Sequence, residues 1–195
     1  MLSRISILFL FAVGLAFAHP HVFVDATVKA LFNEKGFSAI HNHWVYDEIY
    51  SAAMIASGDK NKNGKIDSDE NGWFQNAILE PLAKSNYYNY VLKGVDYLPV
   101  EKIADFKASV VNGRLVLDFD ARFSMPIQNE YTMLVAVVAD PTNYIQITAD
   151  MEKSDVDAPD LIDVEFFNDA LDGLTMFKAF QPDVEGLYIR FRKKQ

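Results

Sequence analysis

Residues 21–47 read HVFVDATVKALFNEKGFSAIHNHWVYD, two alternating stretches either side of the turn-forming NEKG. Val22, Val24, Ala26 and Val28 alternate with polar neighbours in the first stretch, and Ile40, Trp44 and Tyr46 do so in the second. A period of two predicts a β-hairpin with one buried face. The turn decides which side chains share that face. A type I turn with Gly36 left-handed, forming a bulge, sets Phe23 across from Asp47 and Asp25 across from Val45. Odd positions then collect on one side, with His21, Asp25, Thr27, His41, His43 and Asp47. The apolar residues fill the other. A direct two-residue turn with no bulge would mix polar and apolar residues on both faces, so the bulged register is expected.

Downstream, Asp47 to Ser57 changes to helical spacing, an acidic loop covers 59–70, and NGWFQNAILEPLAKSN (71–86) reads as a second helix that Pro81 kinks or divides. After Tyr87 the chain is strand-like: YNYVLKGV, ADFKASVV joined to RLVLDFDARFS across Asn112-Gly113, YTMLVAVVAD, NYIQITA, IDVEFF and GLYIRFR. The expectation is a mainly β, sandwich-like fold, α+β overall, with a helix-loop-helix hairpin inserted at about 47–86. NYYNY (86–90) reads as a strand alternating between core and surface, MEKSDVDAPDL (151–161) as a solvated acidic loop, and RFRKKQ as a solvated chain end.

Upstream, Arg4 is the only charge before the apolar run Ile5 to Leu15, which ends in Ala16-Phe17-Ala18. That order is a secretory signal peptide, and the run is too short to span about 30 Å of hydrocarbon. Cleavage after Ala18 leaves a single β-rich domain, 19–195, in the periplasm or outside the cell. One of the 18 basic residues precedes the cut, so 17 remain against 27 acidic ones, a charge near −10. Such a balance disfavours nucleic acid and favours cations as partners. The sequence contains no cysteine, which excludes disulfides and thiolate metal sites.

The loop DKNKNGKIDSDE (59–70) places Asp59, Asn61, Asn63, Lys65, Asp67 and Glu70 at positions one, three, five, seven, nine and twelve of an EF-hand calcium loop. Gly64 falls at the sixth position, where the backbone reverses, and Ile66 at the apolar eighth. Calcium needs about six to eight oxygens. Side chains at alternate positions, the Lys65 carbonyl and a bidentate Glu70 supply them. Asparagine at two positions and lysines at 60, 62 and 65 point to modest affinity, about 10⁻⁴ to 10⁻³ M. No second loop pairs with this one, so a structural clip is expected in preference to a sensor.

The histidines number four, in two His-x-His pairs: His19 with His21, and His41 with His43. The functional reading is a transition-metal site for Ni²⁺, Co²⁺, Cu²⁺ or Zn²⁺, made of these imidazoles, Asp25 or Asp47, and the terminal amine of His19. The competing reading is of solvated strand residues and a loose chain start.

HPHVFVD after the leader, HWVYDEIYS (43–51) and the acidic loop together resemble the exported bacterial family called domain of unknown function 1007. The resemblance implies a periplasmic component of an uncharacterised transport system, encoded beside nickel/cobalt-type transporters, with His19, Pro20, His21, Trp44, Asp47 and Glu48 as signature positions. The expected function is therefore an exported calcium-binding accessory of transition-metal transport, partnered by an inner-membrane transporter. Nothing resembles a nucleophile elbow or a zinc-protease motif, so no enzymatic activity is expected. Two other classes compete: a secreted copper oxidase with an N-terminal His clamp, and a calcium-stabilised adhesion or assembly module.

Overall fold

The protein is described by a computed structural model over residues 21–171 and 184–195; the expected leader, His19 and Pro20 lie outside the described residues. β1 (Val22–Asn33) and β2 (Gly36–Tyr46) form the expected antiparallel hairpin, with Asp25 opposite Val45 and Thr27 opposite His43. The register is the expected one, but its origin differs. Asn33 pairs directly with Gly36, so the connection is a two-residue turn, and the extra residue enters further along, where Leu31 faces Ala39 and Phe32 faces Phe37. Ser38 is that residue. It is buried, and its hydroxyl donates to the Leu31 carbonyl at 3.0 Å. Gly36, at φ +133°, lies so close to the next strand that a methyl group would collide with the Met125 carbonyl and the Ile127 nitrogen. Its role is close backbone approach.

The remaining strands are β3 (Asn89–Lys93), β4 (Asp96–Leu98), β5 (Lys102–Val111), β6 (Arg114–Pro126), β7 (Thr132–Val138), β8 (Ile145–Ala149), β9 (Asp155–Asp157), β10 (Ile162–Ala170) and β11 (Glu185–Lys193). They make two sheets. One runs β5-β6-β2-β1-β8, with β9 also on β1, and the other runs β10-β11-β7-β3-β4. Asn112 and Gly113, at φ +51° and +79°, form the tight turn between β5 and β6. Only residues tolerant of positive φ suit both central positions of such a turn.

Alternation places Val24, Ala26, Trp44, Leu117 and Phe119 of the first sheet against Leu134, Ile189 and Phe191 of the second, all essentially buried. Burying a side chain of this size contributes about 1.5–3 kcal/mol. The acidic segment 151–161 is not a plain solvated loop. Met151 is buried, residues Met151–Lys153 form a 3-10 turn, and β9 pairs in parallel with Lys29 to Leu31. Three residues are too few for an alternation signal, and the neighbour supplies the pairing. Among the described residues no helix is long and apolar enough to cross a membrane.

Candidate metal-binding sites

The helical insertion follows directly from β2. Asp47 caps α1 (Glu48–Gly58): its carboxylate accepts from the Tyr50 N–H at 2.9 Å and from the Phe23 N–H at 2.9 Å. One side chain therefore starts the helix and ties it to β1, a cap contributing about 1 kcal/mol. Ser51 fastens the helix to the sheet, accepting from the Leu115 N–H and donating to the Tyr46 carbonyl. At the far end Gly58 lies against the rings of Trp73 and Phe74, where a methyl group would collide. α2 (Ser68–Phe74) begins with a capping box between Asp67 and Glu70. As Pro81 foretells, helix 71–86 is divided: a π turn at Gln75–Leu79 and a 3-10 segment at Glu80–Tyr88 follow α2. That segment leaves helical angles at Ser85, Asn86 and Tyr87, so the first three residues of NYYNY form a left-handed kink, with positive φ at Asn86, Tyr87 and Tyr88, and the strand begins only at Asn89.

Between the helices, residues 59–70 wind so that their oxygens turn onto backbone N–H groups. Asp59 accepts from Asn63 at 3.1 Å and from Gly64 at 2.8 Å, and Gly64 takes φ +75° at the reversal. Glu70 accepts from Lys60 at 2.7 Å through Oε1 and from Asp67 at 3.1 Å through Oε2. The side-chain amides of Asn61 and Asn63 both donate to Asp67 at 2.8 Å, and these bonds hold its carboxyl below the usual carboxylate range. Asp59 is 8% exposed and Glu70 only 1%. Ile66 packs against the main core, anchoring the loop from beneath. Lys60, Lys62 and Lys65 are exposed. Among the described residues no three His, Asp or Glu side chains gather as a metal-holding group. The loop's donor set is mixed: three carboxylates, two amide oxygens and the Lys65 carbonyl. All are hard oxygen donors, the chemistry that calcium takes.

Asn71, just after the loop, has a role that the sequence reading missed. Its amide donates to the Phe106 carbonyl at 3.1 Å and accepts from the Ala108 N–H at 2.7 Å. It thereby pairs with the edge strand β5 where that strand bulges between Ala104 and Lys107.

The histidines separate into two places. His41 and His43 are on the outer face of β2, each bonded through Nδ1 to a carboxylate of β6: Asp120 at 2.7 Å and Asp118 at 2.7 Å. Neither aspartate was anticipated. The residues expected beside the histidines are engaged elsewhere: Asp25 pairs with Arg114 at 3.0 Å, and Asp47 is the helix cap. His21 lies at the start of β1 against the Tyr144 ring, and its N–H donates to the Tyr144 carbonyl. It is six residues along the strand from Thr27, the partner of His43, or about 20 Å. His19 falls outside the described residues.

The sequence model of the family described as "Protein of unknown function (DUF1007)" matches residues 5–168. The chain belongs to this family. No curated protein matches the chain. The matched span holds the hairpin, the loop and β6, and it ends inside β10. The DUF1007 signature positions implied by resemblance have different local tasks here. Trp44 is buried edge-to-face on Phe119, with ring centroids 5.0 Å apart, whereas Asp47 caps α1 and Glu48 is exposed in its first turn. Trp44 and Asp47 are thus accounted for by folding alone.

Proposed function

We propose that the mature chain is an exported calcium-binding protein, with calcium clipping the helical hairpin to the sandwich, and that it serves as a periplasmic accessory of transition-metal transport. The observation that carries the calcium reading is the burial of Glu70 and Asp59 inside a twelve-position oxygen-rich loop. Each carboxylate oxygen has more lone pairs than the loop's N–H groups occupy, and a divalent cation is the partner that such converging oxygens suit. Asp59, Asn61, Asn63, Lys65 through its carbonyl, Asp67 and Glu70 would hold the ion.

The accessory role rests on the transport context that the resemblance implies, the leader-like residues 1–18 and the acidic mature chain. It is a binding role, with the inner-membrane transporter as partner and no catalytic step. N-terminal sequencing with elemental analysis of protein recovered from the periplasm tests it. A start at His19 with about one calcium per chain supports the reading. Retention of residues 1–18, or a metal-free protein at millimolar calcium, contradicts it.

A further inference from the structure

His41 and His43 are two residues apart on β2, so their rings leave the same face of the sheet. The register sets His41 opposite Asp120 and His43 opposite Asp118. A carboxylate only accepts hydrogen bonds, so in each neutral pair Nδ1 carries the hydrogen and Nε2 keeps its lone pair. The side chains retain 38% and 44% exposure. Behind His41 the carboxylate is itself held: Asp120 pairs with Arg122 at 2.9 Å, and Arg122 with Asp105 at 2.6 Å. Lys29, across from His41, has its ammonium 3.0 Å from Asp155. Imidazoles fixed at one nitrogen by a carboxylate, with the other nitrogen unprotonated, have the arrangement found in metal-binding histidines.

We propose that His41 and His43 form a two-imidazole site for a divalent transition metal such as copper, nickel or zinc, with Asp118 and Asp120 as positioning residues and water completing the coordination. This narrows the transition-metal part of the function proposed above to one face of one sheet. His21 does not belong to the site, because the β1–β2 register holds it about 20 Å away. Asp25 and Asp47 do not belong either, since an arginine and a helix N-terminus engage them. The two carboxylates act through the rings: each sets the tautomer and raises the basicity of the ligating nitrogen.

The test is calorimetric titration of copper(II), nickel(II) and zinc(II) into the mature chain, at constant millimolar calcium, beside three variants. His41→Gln/His43→Gln keeps an N–H donor for each aspartate and should lose at least tenfold in affinity. Asp118→Asn/Asp120→Asn should lose about tenfold, the usual cost of removing such a partner. His19→Ala/His21→Ala should retain the site within about threefold. Paramagnetic broadening by nickel(II) in the unmodified protein should strike the His41 and His43 ring signals and spare His21, a readout independent of variant folding. Unchanged binding in the His41/His43 variant, or broadening centred on His21, overturns the site while leaving a transition-metal role intact. Absence of binding for all three ions overturns both.

Discussion

Glu70 reaches back ten residues to accept the Lys60 N–H at 2.7 Å, closing the loop on itself with a carboxylate that is 1% exposed. The same side chain accepts from Asp67 at the start of α2. One residue thus joins the end of the first helix to the beginning of the second. A ligand on Glu70 would therefore act on the stability of the whole hairpin.

Asn71 carries that effect to the sandwich. Asn71→Ala should cost about 1–3 kcal/mol in urea unfolding, because the Phe106 carbonyl and the Ala108 N–H both lose their side-chain partner. Asn71→Asp restores only the acceptor and should recover part of the loss. Equal stability of wild type and Asn71→Ala would show that β5 does not depend on the loop.

Asp47→Ala should cost about 1–2 kcal/mol, the upper range for a cap, since the bond to the Phe23 N–H is lost together with that to Tyr50. Asp47→Asn keeps one acceptor oxygen for two N–H groups and should recover at most about half of that. Chemical denaturation with both variants measures the difference, and full stability in Asp47→Ala would show that neither bond matters to the fold.

Tyr46→Phe should be neutral or stabilising. The hydroxyl of this buried residue has no hydrogen-bond partner among the described residues, so removing it spares a desolvation cost without breaking a bond. A fall in melting temperature of more than a few degrees would reveal a partner for that hydroxyl.

Alkaline pH should destabilise the fold. Burial, with Tyr144 and Asp47 nearby, pushes Tyr50 up to about 12, and burial with Asp140 and Tyr97 nearby pushes Tyr90 up to about 12. Burial raises Tyr46 and Tyr88 as well. An unfolded tyrosine titrates near 10. Folded values above the unfolded one mean that the unfolded chain loses its protons first. The stabilisation is complete below about pH 10 and is lost as pH rises toward 12. Melting temperature should hold to about pH 9.5 and then fall. A flat profile to pH 11 would contradict the assigned burial.

Much of this architecture is legible in the sequence because alternation is strong where one face is buried. The odd positions of β1, and those of β2 from His41 to Val45, faced outward as expected, since a one-residue slip would have buried Asp25 and Thr27. The bulge moved from Gly36 to Ser38 because the demand on Gly36 comes from β6, a strand about 90 residues away that no local pattern reveals. The same limit hid the partners of the histidines. LDFDARF shows Asp118 and Asp120 on one face of a strand, but the order β6-β2-β1 is a property of the assembled sheet. β9 was missed for the same reason. The loop 59–70 was readable as a motif because all its proposed calcium ligands fall within twelve consecutive residues, a pattern that is local.

The central claim is that residues 59–70 bind calcium, and a calcium titration followed by thermal melting of the mature chain tests it most directly. With a dissociation constant near 10⁻⁴ M, about 10 mM calcium stabilises the native state by about 2.7 kcal/mol through mass action. For a domain of this length that is a rise of about 5–10 °C in Tm. Glu70→Gln should abolish most of the rise, and magnesium at the same concentration should give far less. An unchanged Tm in 10 mM calcium, or an equal rise in Glu70→Gln, would contradict calcium binding by this loop.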